Sequence, residues 1–431
     1  MRILDEVEKV ENYLISCRRI LHENPEISDC ELNTIQFICE ELKKIGIKYV
    51  AVPNGGVLGF IEGEKKPKDL KKEKSVLLRA DIDALPISES EYNLTAKKQV
   101  ISKNSGVSHA CGHDCHTAML LAEAKILNSH KNELNGNVFL MFERGEEQTG
   151  NVVYILKWIE DNKINIDSAF GIHVCSEIES GMVALQAGSV MTGAIKFQIT
   201  LNGTGGHGSE PEKAHNPIDC FSAIHLKLLK SVEQRNNEKG HLIFSICSVN
   251  SGNTWNVIPD RLTFMGSSRS YDTETGRDFL KLFRSVLEEE CVRWGCTYNI
   301  DELTGPKFPV INHPECVKLA KEAAGASIGY DRVLYTFRWS GSDSMANILQ
   351  LFPGVYAFLG IKNITMGSGA PHHTPEFDVD EGALKYGVAL AVAYVINFLD
   401  SDIQTESAKW KQGVKKLYQY TNSAPEVLNI F

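Results

Sequence analysis

The stretch NVFLMFERGEE at residues 137–147 joins an apolar run of strand length to a charged loop. Three similar apolar runs surround it in the chain: VLGFI at 57–61, SVLLRA at 75–80 and SAFGIHV at 168–174. Segments with helical character, such as 115–129 and 151–161, lie between several of these runs. Strands that alternate with helices are typical of a mainly parallel sheet with helices on both faces. The sequence therefore predicts an α/β fold.

The middle of the chain has a different order of elements, which predicts a separate α+β domain. The order is β-α-β-β-α-β, the split arrangement of a small two-layer sandwich. Its predicted elements are strand 194–201, helix 214–232, strand 242–249, strand 261–267, helix 275–292 and strand 296–301. Candidate ligands lie on both sides of this segment. We therefore expect one discontinuous domain, 1–189 with 304–431, interrupted by a domain at 190–303.

Length and charge narrow the possible functions. The 431 residues suggest two domains at about 100–200 residues each, and 45 basic against 55 acidic residues give a net charge of −10. An acidic protein repels the phosphates of nucleic acids, so we expect no nucleic-acid partner. The basic run EKKPKDLKKEK at 64–74 is interleaved with acids and predicts only a solvated loop.

The sequence also predicts a cytoplasmic protein without a membrane segment. The N-terminal MRILDEVEKVENYL lacks the apolar core of a secretory signal. The longest apolar stretch, at 386–399, is shorter than the ~20 residues that cross a bilayer, which favours a buried helix. The eleven cysteines are scattered and odd in number, so we expect free thiols rather than a disulfide framework.

The strongest chemical signal is SHACGHDCHTA at 108–118, which follows a polar loop and opens a helix. Cys111 and His113 are two residues apart at the start of that helix and can point into one cleft. Thiolate and imidazole together suit zinc and other borderline transition metals. The alternative is a buried cysteine beside hydrogen-bonded core histidines, but three histidines, two cysteines and an aspartate within residues 109–116 favour a metal site.

Two adjacent carboxylates, Glu146 and Glu147, follow the strand at 137–142. Open α/β sheets bind their ligands outside the carboxyl ends of their strands. At that position one glutamate can bind metal, while the other takes a proton from the attacking water and returns it to the leaving amine. A solvated surface pair is the alternative interpretation.

Further candidates stand where other strands end. His173 ends the strand at 168–174, where a core histidine is the alternative, and His372 with His373 precedes the C-terminal helix, where a turn with exposed histidines is the alternative. Asp81 and Asp83 follow the strand at 75–80, so they can bind metal or hydrogen-bond a ligating imidazole, unless they merely form a turn.

The middle segment contributes one candidate catalytic residue and two candidate substrate-binding residues. The glycine-rich loop GTGGHGSEP at 203–211 contains His207, and no Lys-Ser/Thr follows it as a phosphate-binding loop would require. Asn256 and Arg269 lie near the ends of predicted strands, and an arginine can bind a substrate carboxylate through two hydrogen bonds. Each of these residues, taken alone, is also compatible with a surface position.

Together these motifs resemble the aminoacylase–carboxypeptidase family of metallo-amidohydrolases, and most closely its hippurate hydrolases, indole-acetyl-amino-acid hydrolases and N-acyl-amino-acid deacylases. The resemblance runs from RRILHENPEIS at 18–28 to FDVDE at 377–381. It implies a catalytic domain interrupted by a lid that also forms a homodimer. It implies two divalent metal ions (zinc, manganese, cobalt or nickel) held by Cys111, His113, Glu147, His173 and His373.

The resemblance also assigns roles to the remaining candidates. Glu146 is implied to be the general base and acid. The position of Asp83 after the strand at 75–80, not the resemblance, is the basis on which we expect it to hydrogen-bond a ligating imidazole. His207 is implied to stabilise the tetrahedral intermediate, often across the dimer, while Asn256 and Arg269 hold the substrate. Two segments depart from the family pattern: Glu143-Arg144-Gly145 replaces Gln-Pro-Ala, and RWSGSDSMAN at 338–347 replaces a Glu-Asp-Phe version that also contains the aspartate now at Asp343.

The resulting prediction is a metal-dependent hydrolase of linear amide bonds that releases a carboxylic acid and a free amino acid from N-acyl amino acids. A metallo-dipeptidase or carboxypeptidase of the same fold is the first alternative. The second is a non-catalytic metal-binding protein, which the retention of Glu146 with five candidate ligands disfavours. A nucleotide-binding enzyme is disfavoured because no phosphate loop or G-x-G-x-x-G motif follows a strand.

Overall fold

The computed structural model describes residues 2–65, 73–148, 150–239, 241–405, 410–421 and 428–431. The chain forms two compact units. The first contains Met1–Val190, Ile311–Arg338 and Asp343–Val414, and the second contains Met191–Val310, Trp339–Ser342 and Lys415–Phe431. Most of the basic run at 64–74, which the sequence predicts to be a loop, lies outside the described residues.

The first part of the chain alternates helices and strands, as the apolar runs predict. Its elements are α1 (Ile3–Glu23), α2 (Leu32–Ile45), β1 (Lys48–Val52), β2 (Gly56–Ile61), β3 (Lys74–Asp81), α3 (His113–Ser129), β4 (Gly136–Glu143), α4 (Val152–Asp161), β5 (Ser168–Glu179), β6 (Val183–Ala184) and β7 (Gly188–Met191). The middle part contains β8 (Gly193–Asn202), β9 (Gly206–His207), α5 (Pro217–Lys239), β10 (Leu242–Ser251), β11 (Val257–Ile258), β12 (Arg261–Ser270), α6 (Thr273–Trp294) and β13 (Thr297–Leu303). The last part contains β14 (Val310–Asn312), α7 (Pro314–Ser327), β15 (Val333–Leu334), α8 (Met345–Leu351), β16 (Gly354–Lys362), α9 (Leu384–Asp400) and α10 (Val414–Tyr420).

The first unit is built on an eight-stranded sheet with the order β1-β2-β4-β3-β5-β16-β6-β15. Its four central strands, β4, β3, β5 and β16, run parallel to one another, and antiparallel pairs occur towards the edges. The predicted α/β fold with a mainly parallel sheet is therefore confirmed. Because parallel neighbours end at the same edge of a sheet, this order brings the loops that follow β3, β4 and β5 together.

Helix α9 is a core element of the first unit. The helical stretch Glu381–Asp400 has the length and composition of a membrane span, but 72% of that window is buried inside the protein. Its apolar side chains, among them Leu384, Val388 and Phe398, belong to the same hydrophobic cluster as residues of α1, α3 and the sheet. Burial on this scale is what a core helix of a globular domain requires, and the predicted buried helix is observed.

The second unit contains the predicted β-α-β-β-α-β series as β8, α5, β10, β12, α6 and β13. The strands form a four-stranded antiparallel sheet with the order β10-β12-β8-β13. Its core contains four phenylalanines, Phe197, Phe264, Phe279 and Phe283. Beyond the predicted domain at 190–303, this unit also includes Trp339–Ser342 and Lys415–Phe431.

Candidate metal centre

The candidate ligands of the first unit come from the carboxyl edge of its central strands. Asp81 is the last residue of β3, Glu146 and Glu147 follow β4, and His173 lies in β5. Helix α3 begins at His113, directly after Cys111 and Gly112. Gly112 has φ +91°, and a Cβ atom at this position would overlap Cγ2 of Val174. The glycine therefore allows the sharp turn that places Cys111 and His113 beside β5.

One group of donors, Cys111, His113 and His173, is fully buried, and one ligand atom of each lies within 4.8 Å of the others. The Sγ atom of Cys111 is 3.6 Å from Nε2 of His173. Nδ1 of His173 donates to the carbonyl oxygen of Val174 at 2.6 Å. That hydrogen bond leaves the lone pair of Nε2 directed towards Cys111, which is the tautomer that a metal ligand needs.

A second group, Cys111, Glu147 and His373, shares the cysteine and is more accessible. Nε2 of His373 lies 3.2 Å from Oε1 of Glu147, and the His373 side chain is 49% exposed. The neighbouring His372 instead accepts a hydrogen bond from the Ser176 amide at 3.2 Å. The structure therefore brings the predicted Cys111, His113, Glu147, His173 and His373 into one cluster.

Asp83 connects the two groups from behind. Its Oδ1 lies 3.1 Å from Nδ1 of His113, while Oδ2 accepts from the Glu147 amide at 3.0 Å and from the Ser28 hydroxyl at 2.6 Å. A carboxylate that hydrogen-bonds to Nδ1 of an imidazole fixes the ring and directs Nε2 towards a metal ion. This geometry fits the supporting position expected of Asp83.

His116 and Asp81 form another possible donor group with His113. Nδ1 of His116 lies 2.6 Å from Oδ1 of Asp81, and its Nε2 accepts from the Val174 amide at 2.9 Å. Both ring nitrogens of His116 are thus already used within the protein. The arrangement favours a structural role for His116, in which it ties α3 to β3 and β5.

The donor set fits a divalent metal ion. Nε2 of His113 is buried and has no hydrogen-bond partner among the described residues; Asp81 Oδ2 is 3.7 Å away and Glu147 Oε1 is 3.8 Å away. Burial, with the nearby Asp343 and Glu147, raises the pKa of the Glu146 carboxyl well above its usual range. A cation among these groups would supply the missing partner and offset the crowding of negative charge.

Buried Arg79 lies beside this cluster and contacts several of its acidic neighbours. Its guanidinium contacts Glu143 at 2.7 Å, Asp81 at 2.8 Å and Asp343 at 3.3 Å, and it donates to the Ser344 hydroxyl at 2.7 Å. Burial raises the pKa of Glu143 to about 7, and Arg79 opposes that rise. Both segments that depart from the family pattern, 143–145 and 338–347, therefore meet at Arg79.

The second of these segments also contacts the predicted catalytic glutamate. The Ser344 amide donates to Oε1 of Glu146 at 3.0 Å. On the other side of the glutamate pair, Arg144 contacts Glu31 at 2.9 Å, and the Gly145 amide donates to the same carboxylate at 2.8 Å. Glu31 is buried, so Arg144 is neutralised within the fold. The extra charge at position 144 thus anchors the loop that presents Glu146 and Glu147.

Comparison with known proteins identifies the family. The model of peptidase family M20/M25/M40 matches residues 77–397, which include every donor of the cluster described above. The chain belongs to this family.

Curated relatives of this M20 protein hydrolyse amide bonds. It is 33% identical to thermostable carboxypeptidase 2 of Saccharolobus solfataricus, over 92% of this chain and 98% of the relative. It is 32% identical to IAA-amino acid hydrolase ILR1-like 2 of Arabidopsis thaliana, over 91% of this chain and 86% of the relative. It is 33% identical to N-acetyl-L-cysteine deacetylase of Bacillus subtilis, over 87% of this chain and 85% of the relative. The predicted family and enzyme class, a hydrolase of amide bonds, are confirmed.

Among solved structures, the M20 protein matches a dinuclear metal-binding peptidase of the same family from Bacillus subtilis. The TM-score is 0.74 at 28% identity, and the match covers 91% of this chain and 99% of the other. The family therefore includes a member with a two-metal site, and the donor groups of this chain make it a metal-binding hydrolase.

The predicted catalytic His207 and the predicted substrate-binding Asn256 and Arg269 all lie in the second unit of the M20 protein. His207 in β9 pairs with Val257 in β11, so His207 and Asn256 lie on adjacent segments. Nδ1 of His207 accepts from the Ser209 amide at 3.1 Å. Arg269 donates to the carbonyl oxygen of Ser340 at 3.2 Å.

Sequence reasoning did not single out Arg79, His116 or Tyr356. His116 follows His113 by three residues on α3, a spacing that puts both rings on one helix face and was a usable signal. Arg79 and Tyr356 are far apart in the sequence, yet Nη1 of Arg79 donates to the Tyr356 hydroxyl at 3.3 Å, and that hydroxyl donates to Oδ2 of Asp343 at 2.6 Å. No local pattern predicts that contact.

Proposed function

We propose that this M20 enzyme hydrolyses the amide bond of N-acyl amino acids and releases a carboxylic acid and a free amino acid. The observation that supports this most directly is the convergence of Cys111, His113, Glu147, His173 and His373 beside Glu146. Relatives named as an acyl-cysteine deacetylase and an indole-acetyl-amino-acid hydrolase support this substrate class.

We propose that these five donors hold two divalent ions. Five ligands exceed the four of a simple tetrahedral zinc site, and Cys111 belongs to both the buried and the accessible group. Thiolate and imidazole favour zinc, while manganese, cobalt and nickel also suit mixed nitrogen and oxygen donors. Bound divalent ions polarise a substrate carbonyl and acidify water, and they orient the scissile bond.

Glu146 is the proposed general base and acid. It takes a proton from the attacking water and delivers it to the nitrogen of the leaving amino acid, so the C–N bond breaks as the amine is protonated. The Ser344 amide holds one oxygen of its carboxylate, which orients the group. Asp83 keeps the His113 ring in place during this transfer.

We assign substrate recognition to the second unit. His207 would donate a hydrogen bond to the carbonyl oxygen as negative charge develops there, and Asn256 and Arg269 would hold the substrate. This assignment rests on the family pattern and on the exposed positions of His207 and its loop.

We further propose a homodimer through the second unit. Strand β10 lies at the edge of its sheet, and Ile243 and Val249 on it are 37% and 45% exposed. Leu226 and Leu229 of α5, which packs against β10, are 66% and 41% exposed. An open strand edge beside exposed leucines is a surface that a second copy can cover.

All eleven cysteines are free thiols in the structure, which agrees with a reducing compartment, and we propose the cytoplasm.

A metallo-carboxypeptidase is the second candidate function, because a relative of that name is 33% identical along nearly the whole chain. The scissile amide has the same chemistry in both cases. Only the group on the acyl side differs, so a substrate panel separates the two.

The test incubates metal-stripped protein with hippurate, N-acetyl amino acids and dipeptides, with and without zinc or manganese, and measures free amine. Metal-dependent release from the acyl amino acids supports the proposal, and release from dipeptides alone moves the assignment to a peptidase. We expect Glu146→Gln to bind metal normally and to lose turnover by ~10²-fold or more. Wild-type turnover in that variant would remove Glu146 from its role.

A further inference from the structure

A buried lysine holds the loop that follows His373. The Lys98 side chain is only 1% exposed. Its ammonium group donates to the carbonyl oxygens of Pro375 at 3.0 Å and Phe377 at 2.7 Å, and it contacts Glu89 at 2.8 Å. The three hydrogens of the ammonium group are therefore used by two backbone oxygens and one carboxylate.

The residues around Lys98 bind the same region of the chain. The Ser90 amide donates to the carbonyl oxygen of Pro375 at 3.0 Å, and the Leu94 amide donates to that of Gly367 at 3.1 Å. Nδ2 of Asn93 donates to Met366 at 3.0 Å and to Asp378 at 2.8 Å. Segment 89–98 is thus attached along residues 366–378, on both sides of His373.

The loop that contains His373 has little regular structure of its own. No helix or strand is assigned between Gly367 and Asp380, a range that lies wholly within the described residues. His373 has φ +64°, and its amide donates to the carbonyl oxygen of Ala110 at 2.9 Å. Because about half of the ring surface is exposed, packing holds it only in part, and hydrogen bonds from neighbouring segments to the loop help to fix its position.

The other end of this network reaches the helix that begins with His113. Glu89 accepts from Nε2 of His22 at 2.9 Å, and Nδ1 of His22 lies 2.8 Å from Asp114, the residue after His113. Arg18 contacts Asp114 at 2.9 Å. All of these side chains are buried or nearly so. Lys98 is therefore the last member of a buried ionic chain that links the start of α3 to the His373 loop.

We propose that Lys98 is a positioning residue for His373: it fixes the loop so that the imidazole stays against Glu147 in the more accessible donor group. The inference rests on the proposed function, because it takes His373 to be a metal ligand. The ammonium group of Lys98 contacts the Glu89 carboxylate and the backbone oxygens of Pro375 and Phe377, none of which is a candidate donor, and it reaches His373 through the backbone of residues 375–377.

The test compares Lys98→Met with Lys97→Met in the full-length, metal-stripped protein. Methionine keeps the length and apolar stem of lysine but donates no hydrogen bond. Lys97 is the matched control, since it is the adjacent lysine and its side chain is 63% exposed. Zinc binding is followed by calorimetric titration and elemental analysis, with thermal unfolding of the metal-free proteins measured in parallel.

Lys98→Met should weaken binding of one zinc ion about 10- to 100-fold and leave the other unchanged, because partners of metal ligands contribute on this scale. Lys97→Met should bind zinc as the wild type does. Unchanged affinity in a folded Lys98→Met, or an equal loss at both sites, would overturn the inference. If Lys98→Met does not fold, Lys98→Gln decides, because its amide NH2 has two donor hydrogens in place of three and should give a smaller loss at the same site.

His373→Ala separates this inference from the function on which it rests. If Lys98 acts through His373, the double variant Lys98→Met/His373→Ala should bind zinc no more weakly than His373→Ala alone. If the losses of zinc affinity of the two single variants add up in the double variant, Lys98 does not act through His373. Normal zinc binding by His373→Ala would reject His373 as a ligand, whereas a loss in His373→Ala with none in Lys98→Met rejects only the role of Lys98.

Discussion

Glu123 is a buried carboxyl without a hydrogen bond or ion pair among the described residues. It lines a small cavity of about 10 Å³ together with Arg79 and His116. A space of this size is at the lower limit for one water molecule. Burial raises the pKa of Glu123 well above its ordinary value of 4.5. The folded protein therefore holds this proton more tightly than the unfolded chain does.

This raised pKa predicts that Glu123 lowers stability progressively as the pH rises from about 4.5 through its folded pKa. Glu123→Gln removes the ionisation, so it should raise the melting temperature at pH 8 by an amount corresponding to roughly 1 kcal/mol or more. The advantage should shrink towards pH 5. Thermal unfolding against pH, with exposed Glu8→Gln as control, tests this; parallel curves for wild type and Glu123→Gln would contradict it.

Arg269 belongs to the second unit and is the candidate partner of a substrate carboxylate. Its guanidinium uses Nη1 on the carbonyl oxygen of Ser340 and is half-buried, which leaves other donors of the planar group for a ligand. We expect Arg269→Ala to raise KM by about tenfold for substrates with a free α-carboxylate. Steady-state kinetics on an N-acyl amino acid and its amide should show the effect only for the acid. An equal rise for both would show that the carboxylate is held elsewhere.

At the scale of elements, the turn into α3 controls two of the candidate ligands. Gly112→Ala would add a Cβ that overlaps Val174 and would strain a residue with φ +91°. We expect a loss of about 2 kcal/mol or more in stability, together with weaker metal binding, since Cys111 and His113 must both shift.

Gly106→Ala is the matched control for that turn. Gly106 has φ +78° with no atom within 4 Å of an added Cβ, so this variant should show the backbone strain alone, about 1 kcal/mol. Thermal unfolding and zinc titration of both variants measure the difference. Equal effects would show that contact with Val174 does not position the turn.

The strands and helices were predictable because their signals are local. The apolar runs at 75–80, 137–142 and 168–174 became β3, β4 and β5, and the β-α-β-β-α-β order of the middle segment is observed. Helix ends were less predictable: α5 continues to Lys239, well past the expected residue 232. Its last turns are polar, so apolar spacing does not reveal them.

Most of the candidate donors were also predictable, since cysteine, histidine and glutamate stand where strands meet loops. The network of ion pairs next to these donors was not predictable. Arg79, Glu143 and Asp343 come from three distant parts of the chain, and their contacts depend on the order of strands in the sheet. The same holds for the pairing of Arg144 with Glu31, which makes an apparently unfavourable substitution compatible with the fold.

At the scale of the whole molecule, the exposed edge of the second unit predicts self-association. We expect the wild type to be a dimer and the double variant Leu226→Lys/Val249→Lys to be a monomer, because two buried charges would oppose the contact. Val292→Lys is the control, since Val292 is 73% exposed on α6, a helix that packs against α5 and against β8, β12 and β13 and contributes none of the residues of the proposed contact. Analytical ultracentrifugation gives the mass; a monomeric wild type or an unchanged dimer would contradict the proposal.

The order of strands in the large sheet has a consequence for synthesis on the ribosome. Strand β16 pairs with β5 on one side and β6 on the other, yet β5 and β6 are translated about 170 residues earlier. Until β16 emerges, β5 presents an open hydrogen-bonding edge next to the nascent donors Cys111, His113 and His173. His373 emerges later still. The growing chain must therefore keep an incomplete sheet from aggregating, and the candidate metal donors can come together as one set only near the end of translation.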